Sequence, residues 1–224
     1  MRPACAGAAL AAGLGLWAAQ LAFAPGPVPA GAATGAVPAQ AGAGPVVDPA
    51  RLRTVRLFPQ VRELPPFELR QSDGTALTNG ELRGRWTLVF LGFTNCPDVC
   101  PTTLADLGAA QKAWADLPEA TRPQVLFVSV DPDRDTPAKA GEYAAFFHPA
   151  TLAATAPTPA LEAFAASLGM VFMPVETPAG DITFDHSTGV VVIDPDGRQA
   201  GLIRAPLVPA DIAADLRTLV EAAP

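Results

Sequence analysis

Trp86-Thr87-Leu88-Val89-Phe90-Leu91-Gly92-Phe93, continuing into Thr94-Asn95-Cys96-Pro97-Asp98-Val99-Cys100, is the stretch on which the reading of the fold turns. The first part is a continuous apolar run of strand length without polar alternation, the pattern of a strand buried on both faces. Gln124 to Val130 is a second run of this kind, and between the two Thr103 to Leu117 spaces Leu104, Leu107 and Trp114 along one helix face. A strand, helix, strand order favours a parallel, right-handed crossover. Cys96 and Cys100 then fall just past the end of the first strand. In open α/β sheets, ligands gather outside the carboxyl ends of strands.

Downstream, Asp131 to Pro137 is polar and turn-rich, and Thr136 with Pro137 signals the cap and first position of a helix running to about Phe147. Thr158 and Pro159 repeat that signature for a helix to about Leu168. Thr188 to Ile193, the turn Asp194-Pro195-Asp196-Gly197 and Gln199 to Ile203 predict an antiparallel hairpin, after which Pro209 opens a last helix. Upstream, residues 66 to 83 contain Phe67 to Arg70, the turn dipeptide Asp73-Gly74 and Thr75 to Leu77, an expected hairpin leading into the fold. The order is mixed α/β. It suits a thioredoxin-like domain over residues 51–224 with an extra N-terminal hairpin, although periodicity alone leaves other α/β folds open.

The N-terminal quarter differs in kind. After Arg2 the next charged residue is Asp48, and from Ala4 to Ala24 only Cys5, Gln20 and three glycines interrupt a run of Ala, Leu, Trp and Phe. About 20 apolar residues span a bilayer, so residues 1–24 read as an export signal or an uncleaved anchor, oriented by Arg2 with the N-terminus in the cytoplasm. Ala22-Phe23-Ala24 has the small-x-small form of a cleavage site, disfavoured by Pro25; Val28-Pro29-Ala30 is a weaker option. Cys5 precedes the apolar run, which argues against a lipoprotein signal and leaves it as a small apolar filler. Residues 25–50, rich in Pro, Ala and Gly, read as a flexible tether, with the domain on the periplasmic or other extracytoplasmic side. A formal net charge of −7 offers no basic stripe to neutralise phosphates, so nucleic acid is not an expected partner.

Three cysteines are too few for a disulfide-stapled scaffold. Placement at the start of a helix exposes Cys96 and Cys100 to its partial positive charge and free N–H groups, both of which stabilise a thiolate. Spacing of four on a helical turn puts both sulfurs on one face, close enough to chelate a soft cation or, with adjustment, to close a disulfide. The alternative, a pair of core cysteines, suits a Pro-flanked pair without apolar periodicity poorly. Thiolates favour Cu(I), and imidazole also suits copper. Of the two histidines, His148 precedes Pro149 at a helix end and reads as a cap or surface residue. His186 lies in Asp185-His186-Ser187-Thr188, ahead of the hairpin strand, in a loop that a thioredoxin-like fold places beside the redox helix. Taken with the cysteines, it is the candidate third ligand. Asp98 near the site and Asp185 beside the imidazole are candidate supporting charges, with solvated turn positions as the plainer reading.

These residues resemble the Sco/SenC family, copper-handling assembly proteins of respiratory oxidases. Phe93-Thr94-Asn95-Cys96-Pro97-Asp98-Val99-Cys100-Pro101-Thr102 is similar to the family's metal motif, Asp131-Pro132-Asp133-Arg134-Asp135-Thr136-Pro137 to its second block and Asp185-His186-Ser187 to its third. The resemblance runs from about Pro65 to the C-terminal helix. It implies a thioredoxin-like fold, a membrane anchor, and copper, Cu(I) or Cu(II), held by Cys96, Cys100 and His186. It also implies a partner, subunit II of cytochrome c oxidase, whose dinuclear copper site must be metallated or kept reduced. Phe172-Met173-Pro174-Val175 lacks the tyrosine and lysine expected there, and Phe184 stands where an aromatic hydroxyl is common. Met173, among apolar neighbours, reads as a packing residue rather than a thioether ligand.

A copper metallochaperone is therefore the leading expectation. Its main rival is a thiol-disulfide oxidoreductase in which Cys96 and Cys100 form a redox dithiol and reduce the partner's cysteines without carrying metal. His186 separates the two, since metal binding needs it and thiol exchange does not. A peroxidase on a related fold is a third class, and a purely structural module leaves the cysteine pair without a reason.

Overall fold

The computed structural model describes residues 47–222, so the predicted anchor over residues 1–24, Cys5 and most of the tether lie outside the described residues. No helix among the described residues is long and apolar enough to cross a membrane. Packed structure begins a little before the expected domain start: Val47 is buried, and the Asp48 side chain caps a short 3-10 turn at Pro49–Arg51.

Strands β1 (Arg56–Arg62), β2 (Leu69–Gln71), β3 (Ala76–Leu77), β4 (Thr87–Gly92), β5 (Gln124–Ser129), β6 (Leu152–Thr155), β9 (Val190–Ile193) and β10 (Gln199–Ile203) form one sheet in the order β1-β10-β9-β4-β5-β6-β2-β3. A separate two-stranded ribbon pairs β7 (Phe172–Glu176) with β8 (Ile182–His186). The helices are α1 (Val99–Lys112), α2 (Pro137–Phe147), α3 (Thr158–Ser167) and α4 (Pro209–Ala222). β4 runs parallel to β5, and β5 parallel to β6. The helices between them serve as the crossovers that parallel pairing requires. β9 closes antiparallel on β4, so β4 and β5 lie in the middle of the sheet and every residue of β4 and β9 is buried. The unbroken apolar runs have this cause. A strand covered on both faces has no solvent side to mark with polar residues.

The predicted hairpin at residues 66–83 is present as β2 and β3, with Gly74 at φ +85°, a conformation that costs glycine little. It joins the sheet through β2 and β6. β1 at the opposite edge, β6 and the β7–β8 ribbon are additional to the predicted elements: β1 is half-polar and broken by Pro59, and β6 is only four residues long. Helix α1 corrects the expected span of Thr103 to Leu117 at both ends. Leu104 and Leu107 mark its buried side, whereas Trp114, also buried, lies beyond its end; Pro101 falls in the first turn, where its missing N–H breaks no helical bond. Beyond Lys112 the chain continues in three-residue turns, with Trp114 N–H donating to Gln111 O and Leu117 N–H to Trp114 O. Thr136 caps α2 as expected, accepting from Lys139 N at 3.2 Å. Thr158 instead occupies the first turn of α3, behind Pro157 with no side-chain cap.

Helix α4 packs on α1, and the Trp114 indole N–H donates to Ala213 O at 3.2 Å. Asp215, buried in α4, holds the chain entering β1 by accepting backbone N–H bonds from Arg53, Thr54 and Val55 at 2.8–3.0 Å. These donors have no substitute partner. Asp215→Ala is expected to lower unfolding stability by about 3 kcal/mol, read as a reduced urea midpoint, through the desolvated N–H groups it leaves behind.

Candidate metal centre

The site forms where β4 ends. Gly92, the last residue of β4, is followed by Phe93, and a tight turn carries Cys96 back over the strand with its N–H on Phe93 O at 3.3 Å. Cys100 sits in the first turn of α1, fully buried, whereas Cys96 lies in the preceding turn, half-buried. The expectation that both cysteines share a helical turn is thus corrected. Cys96 stands outside the helix, and its sulfur accepts the Cys100 backbone N–H at 3.4 Å. A sulfur therefore takes a role that a capping oxygen usually fills, and the free N–H of the helix start is aimed at Cys96.

His186 arrives from the other end of the sequence, as the last residue of β8 rather than in a loop. Its Nε2 lies 3.5 Å from Cys100 Sγ, and its Nδ1 lies 3.0 Å from Ser187 O. A carbonyl only accepts, so Nδ1 carries the proton and the Nε2 lone pair faces the sulfur. Phe90 and Phe93 meet the imidazole edge-on, with ring centroids at 5.9 and 6.1 Å. Ser187 pins the base of the ribbon: its N–H donates to Val171 O at 2.9 Å and its hydroxyl accepts from Val171 N at 3.1 Å. Burial pushes the His186 imidazole below its ordinary pKa, opposed by its bond to Ser187 and by Asp185. The shift favours the neutral imidazole, the form that ligates metal. The two sulfurs and the imidazole nitrogen all lie within 4.8 Å of one another.

Burial raises the Cys100 thiol far above its ordinary value, with the hydrogen-bonded Cys96 adding to the effect. The sequence-based expectation of two activated thiolates therefore fails at Cys100. A helix end is worth fractions of a kcal/mol to about 2, and full desolvation of an anion outweighs it. His148, as expected, ends α2 and takes no part in the site; its Nδ1 accepts from Ala150 N at 3.2 Å. Asp98 stands at the start of α1 without a side-chain cap bond. Met173 reverses its expected packing role: it is 58% exposed, because strand alternation turns it and its cross-strand partner Asp185 away from the face that carries Phe172 and His186. Phe184 does pack, at 5.4 Å from Phe93 and 6.3 Å from Phe172.

Two supporting residues escaped the sequence reading. Asp135, read only as part of a turn, is fully buried behind the cysteine turn. It accepts from Thr94 N at 2.8 Å, Thr94 Oγ1 at 2.5 Å, Ser129 Oγ at 2.6 Å and Lys139 Nζ at 3.0 Å. Burial alone raises its pKa, but the bonds from Ser129, Thr94 and Lys139 outweigh that and hold it below the ordinary carboxyl range. Gly92 is the other: a Cβ there would lie 2.9 Å from Cys100 Sγ and 3.0 Å from the Phe127 ring. Only hydrogen leaves room for the sulfur.

A thioredoxin-like domain with two cysteines and a histidine gathered at the end of a central strand is the class that fold and site define. The SCO1/SenC family model matches residues 59–221, and the chain belongs to that family. The solved structure of Bradyrhizobium japonicum ScoI with copper bound is similar at TM-score 0.63 and 34% identity, covering 69% of this chain and 97% of that one. Apo Sco1 from Thermus thermophilus is similar at TM-score 0.65 and 32% identity, covering 74% and 95%. A Stutzerimonas stutzeri protein whose name refers to copper binding is 35% identical over 155 residues, 68% of this chain and 74% of its own. The matched stretch spans only 39% of the mitochondrial SCO1 homolog 1 of Arabidopsis thaliana and 45% of SCO1 of Saccharomyces cerevisiae.

Two substitutions probe the supports. Gly92→Ala is expected to cost about 1–3 kcal/mol by overpacking and to displace Cys100, seen as a lowered melting temperature. Asp135→Asn is expected to cost about 2 kcal/mol at pH 7. Because the folded carboxyl titrates below the unfolded one, the wild-type advantage is complete above about pH 4 and is lost as pH falls through the folded value. Urea titrations of both proteins between pH 7 and pH 2 should show the gap closing only in acid.

Proposed function

We propose that this protein is a copper metallochaperone that holds copper through Cys96, Cys100 and His186 and passes it to a copper-receiving partner. The observation that carries the reading is the orientation of His186, whose Nε2 lone pair faces Cys100 Sγ at 3.5 Å while Nδ1 is engaged by Ser187. Two soft sulfurs and one imidazole within 4.8 Å form a donor set suited to copper. Binding displaces the thiol protons, so the high cost of a bare Cys100 thiolate is avoided when the metal supplies the compensating charge. The half-buried side of Cys96 leaves a direction from which a partner's ligand enters and draws the ion away. Copper is cargo here, and the protein's work is to hold, shield and release it.

Family membership supports the finer reading, in which the recipient is the dinuclear copper site of cytochrome c oxidase subunit II. The same reading keeps the domain on the outer side of a membrane, tethered or exported through the N-terminal segment. The thiol-disulfide alternative rests on the same two free cysteines. In it the dithiol passes two electrons and two protons to a partner disulfide and becomes a Cys96–Cys100 disulfide, with no use for His186.

Anaerobic titration of the reduced protein with Cu(I) tests the choice. About one tightly held copper per chain is expected, with affinity reduced at least tenfold by Cys96→Ser, Cys100→Ser or His186→Ala. Binding indifferent to His186, or none, would transfer the assignment to the reductase.

A further inference from the structure

Two adjoining cavities of about 650 and 640 Å³ share Phe58, Leu202, Arg204 and Ala205, and so make one trough over the β1–β10 edge of the sheet. Four arginines line it, Arg53, Arg56, Arg62 and Arg204, against a single carboxylate, Asp211, in a chain with 22 acidic and 15 basic residues. Asp211 is taken up by Arg53 at 2.8 Å. Arg56 and Arg204 are exposed and enter no ion pair among the described residues. Arg62 is held in place. Gln199, buried, donates to Leu168 O at 2.9 Å and accepts from Arg62 Nε at 3.1 Å, and Arg62 Cζ lies 5.6 Å from the Phe58 ring centroid. A guanidinium fork ordered in advance loses less entropy when a carboxylate pairs with it.

Sheet topology puts the trough beside the metal centre. Arg56 stands opposite Leu202 in the antiparallel pair of β1 and β10, and Ile203 opposite Val190 in that of β10 and β9. Since β9 is also antiparallel to β4, Arg56 and Arg204 lie at the end of the sheet where β4 delivers the cysteines. Ser187, whose carbonyl engages His186 Nδ1, lines the trough itself. So do the buried Leu168 and Met170. Side chains of an extended peptide enter a recess of this kind, whereas a flat bilayer surface touches only its rim. We propose that the trough docks an extended acidic segment of the protein that receives the copper, with carboxylates of that segment on Arg56 and Arg204. The inference rests on the copper reading above. An acidic partner is repelled by a chain of net charge −7 as a whole, so the arginines set where it lands, next to His186.

The test measures the rate of copper transfer from the full-length chain, in neutral detergent, to copper-free cytochrome c oxidase subunit II. The wild-type rate is expected to fall about tenfold as salt rises from roughly 50 to 500 mM. The double variant Arg56→Glu/Arg204→Glu should be about tenfold slower at low salt, with copper affinity and melting temperature unchanged. Arg83→Glu/Arg85→Glu, placed before β4 at the opposite end of the sheet, alters the net charge equally and should keep the wild-type rate. Equal rates in the two double variants, or a wild-type rate indifferent to salt, would overturn the docking role and leave the copper reading standing. Loss of binding to phosphatidylglycerol vesicles in Arg56→Glu/Arg204→Glu, with transfer unchanged, would overturn it in favour of a membrane surface. A wild type that holds copper but passes none would overturn the docking role together with the choice of recipient. One that binds no copper would overturn the copper reading and the docking role with it.

Discussion

The buried carboxylate of Asp135 is the tie on which the geometry of the site depends. It bonds at once to the turn after β4 through Thr94, to the end of β5 through Ser129, and to the first turn of α2 through Lys139. Backbone ladders fix β4 against β5, but a ladder stops at the strand end, and the cysteines lie beyond it. An ion pair with an exposed lysine would add little by itself. Here the lysine completes a set of donors that leaves no lone pair of a desolvated anion unanswered, and such a network rigidifies what it touches. The turn that carries Cys96 is therefore held by a charge placed in the neighbouring crossover.

That arrangement explains why the two cysteines differ so strongly although only three residues separate them. Cys96 is partly open and receives the Cys100 N–H, whereas Cys100 is enclosed by Gly92, Phe127 and the imidazole of His186. Without metal, the inner sulfur is held as a thiol by the cost of burying its charge. A cation removes that cost, and the same enclosure then strengthens its attraction to the thiolate. Enclosure therefore favours the protonated thiol and, in the proposed copper role, the metal-bound sulfur over an exposed and reactive thiolate.

The central strands and the cysteine turn were legible because burial on both faces and a Pro-flanked pair write strong local signals. β1 was not: its neighbour β10 lies far along the chain, and Pro59 and the flanking arginines disguise it. The ribbon of β7 and β8 was missed for a related reason. Its two strands pair with each other away from the main sheet, only partly buried, so Phe172 to Glu176 carries no clean alternation of apolar and polar residues. That omission shifted His186 from a strand end to a loop and left Met173 looking like core. Asp135 stood in a block that the family resemblance had singled out, yet nothing local separates an acid that caps a turn from one that anchors a distant loop. Gly92 was hidden because the need for hydrogen at its Cα arises only from Cys100 folding back over it.

The separation of the ribbon from the main sheet has a mechanical consequence. Cys96 and Cys100 are fixed to the sheet through β4 and α1, but His186 is carried by two strands whose backbone bonds run only to each other. The Ser187–Val171 pair closes the ribbon's own base, and what seats the ribbon on the sheet is the packing of Phe184 on Phe93 and of the His186 ring on Phe90 and Phe93. Aromatic packing is broad in angle and modest in energy, about 0.5–1.5 kcal/mol beyond area. Of the three donor groups, the imidazole is therefore the one least firmly tied to the sheet, and the two sulfurs stay in register when it moves. On the copper reading proposed above, such a site can release the imidazole and keep its two sulfurs in place without unfolding any strand of the sheet.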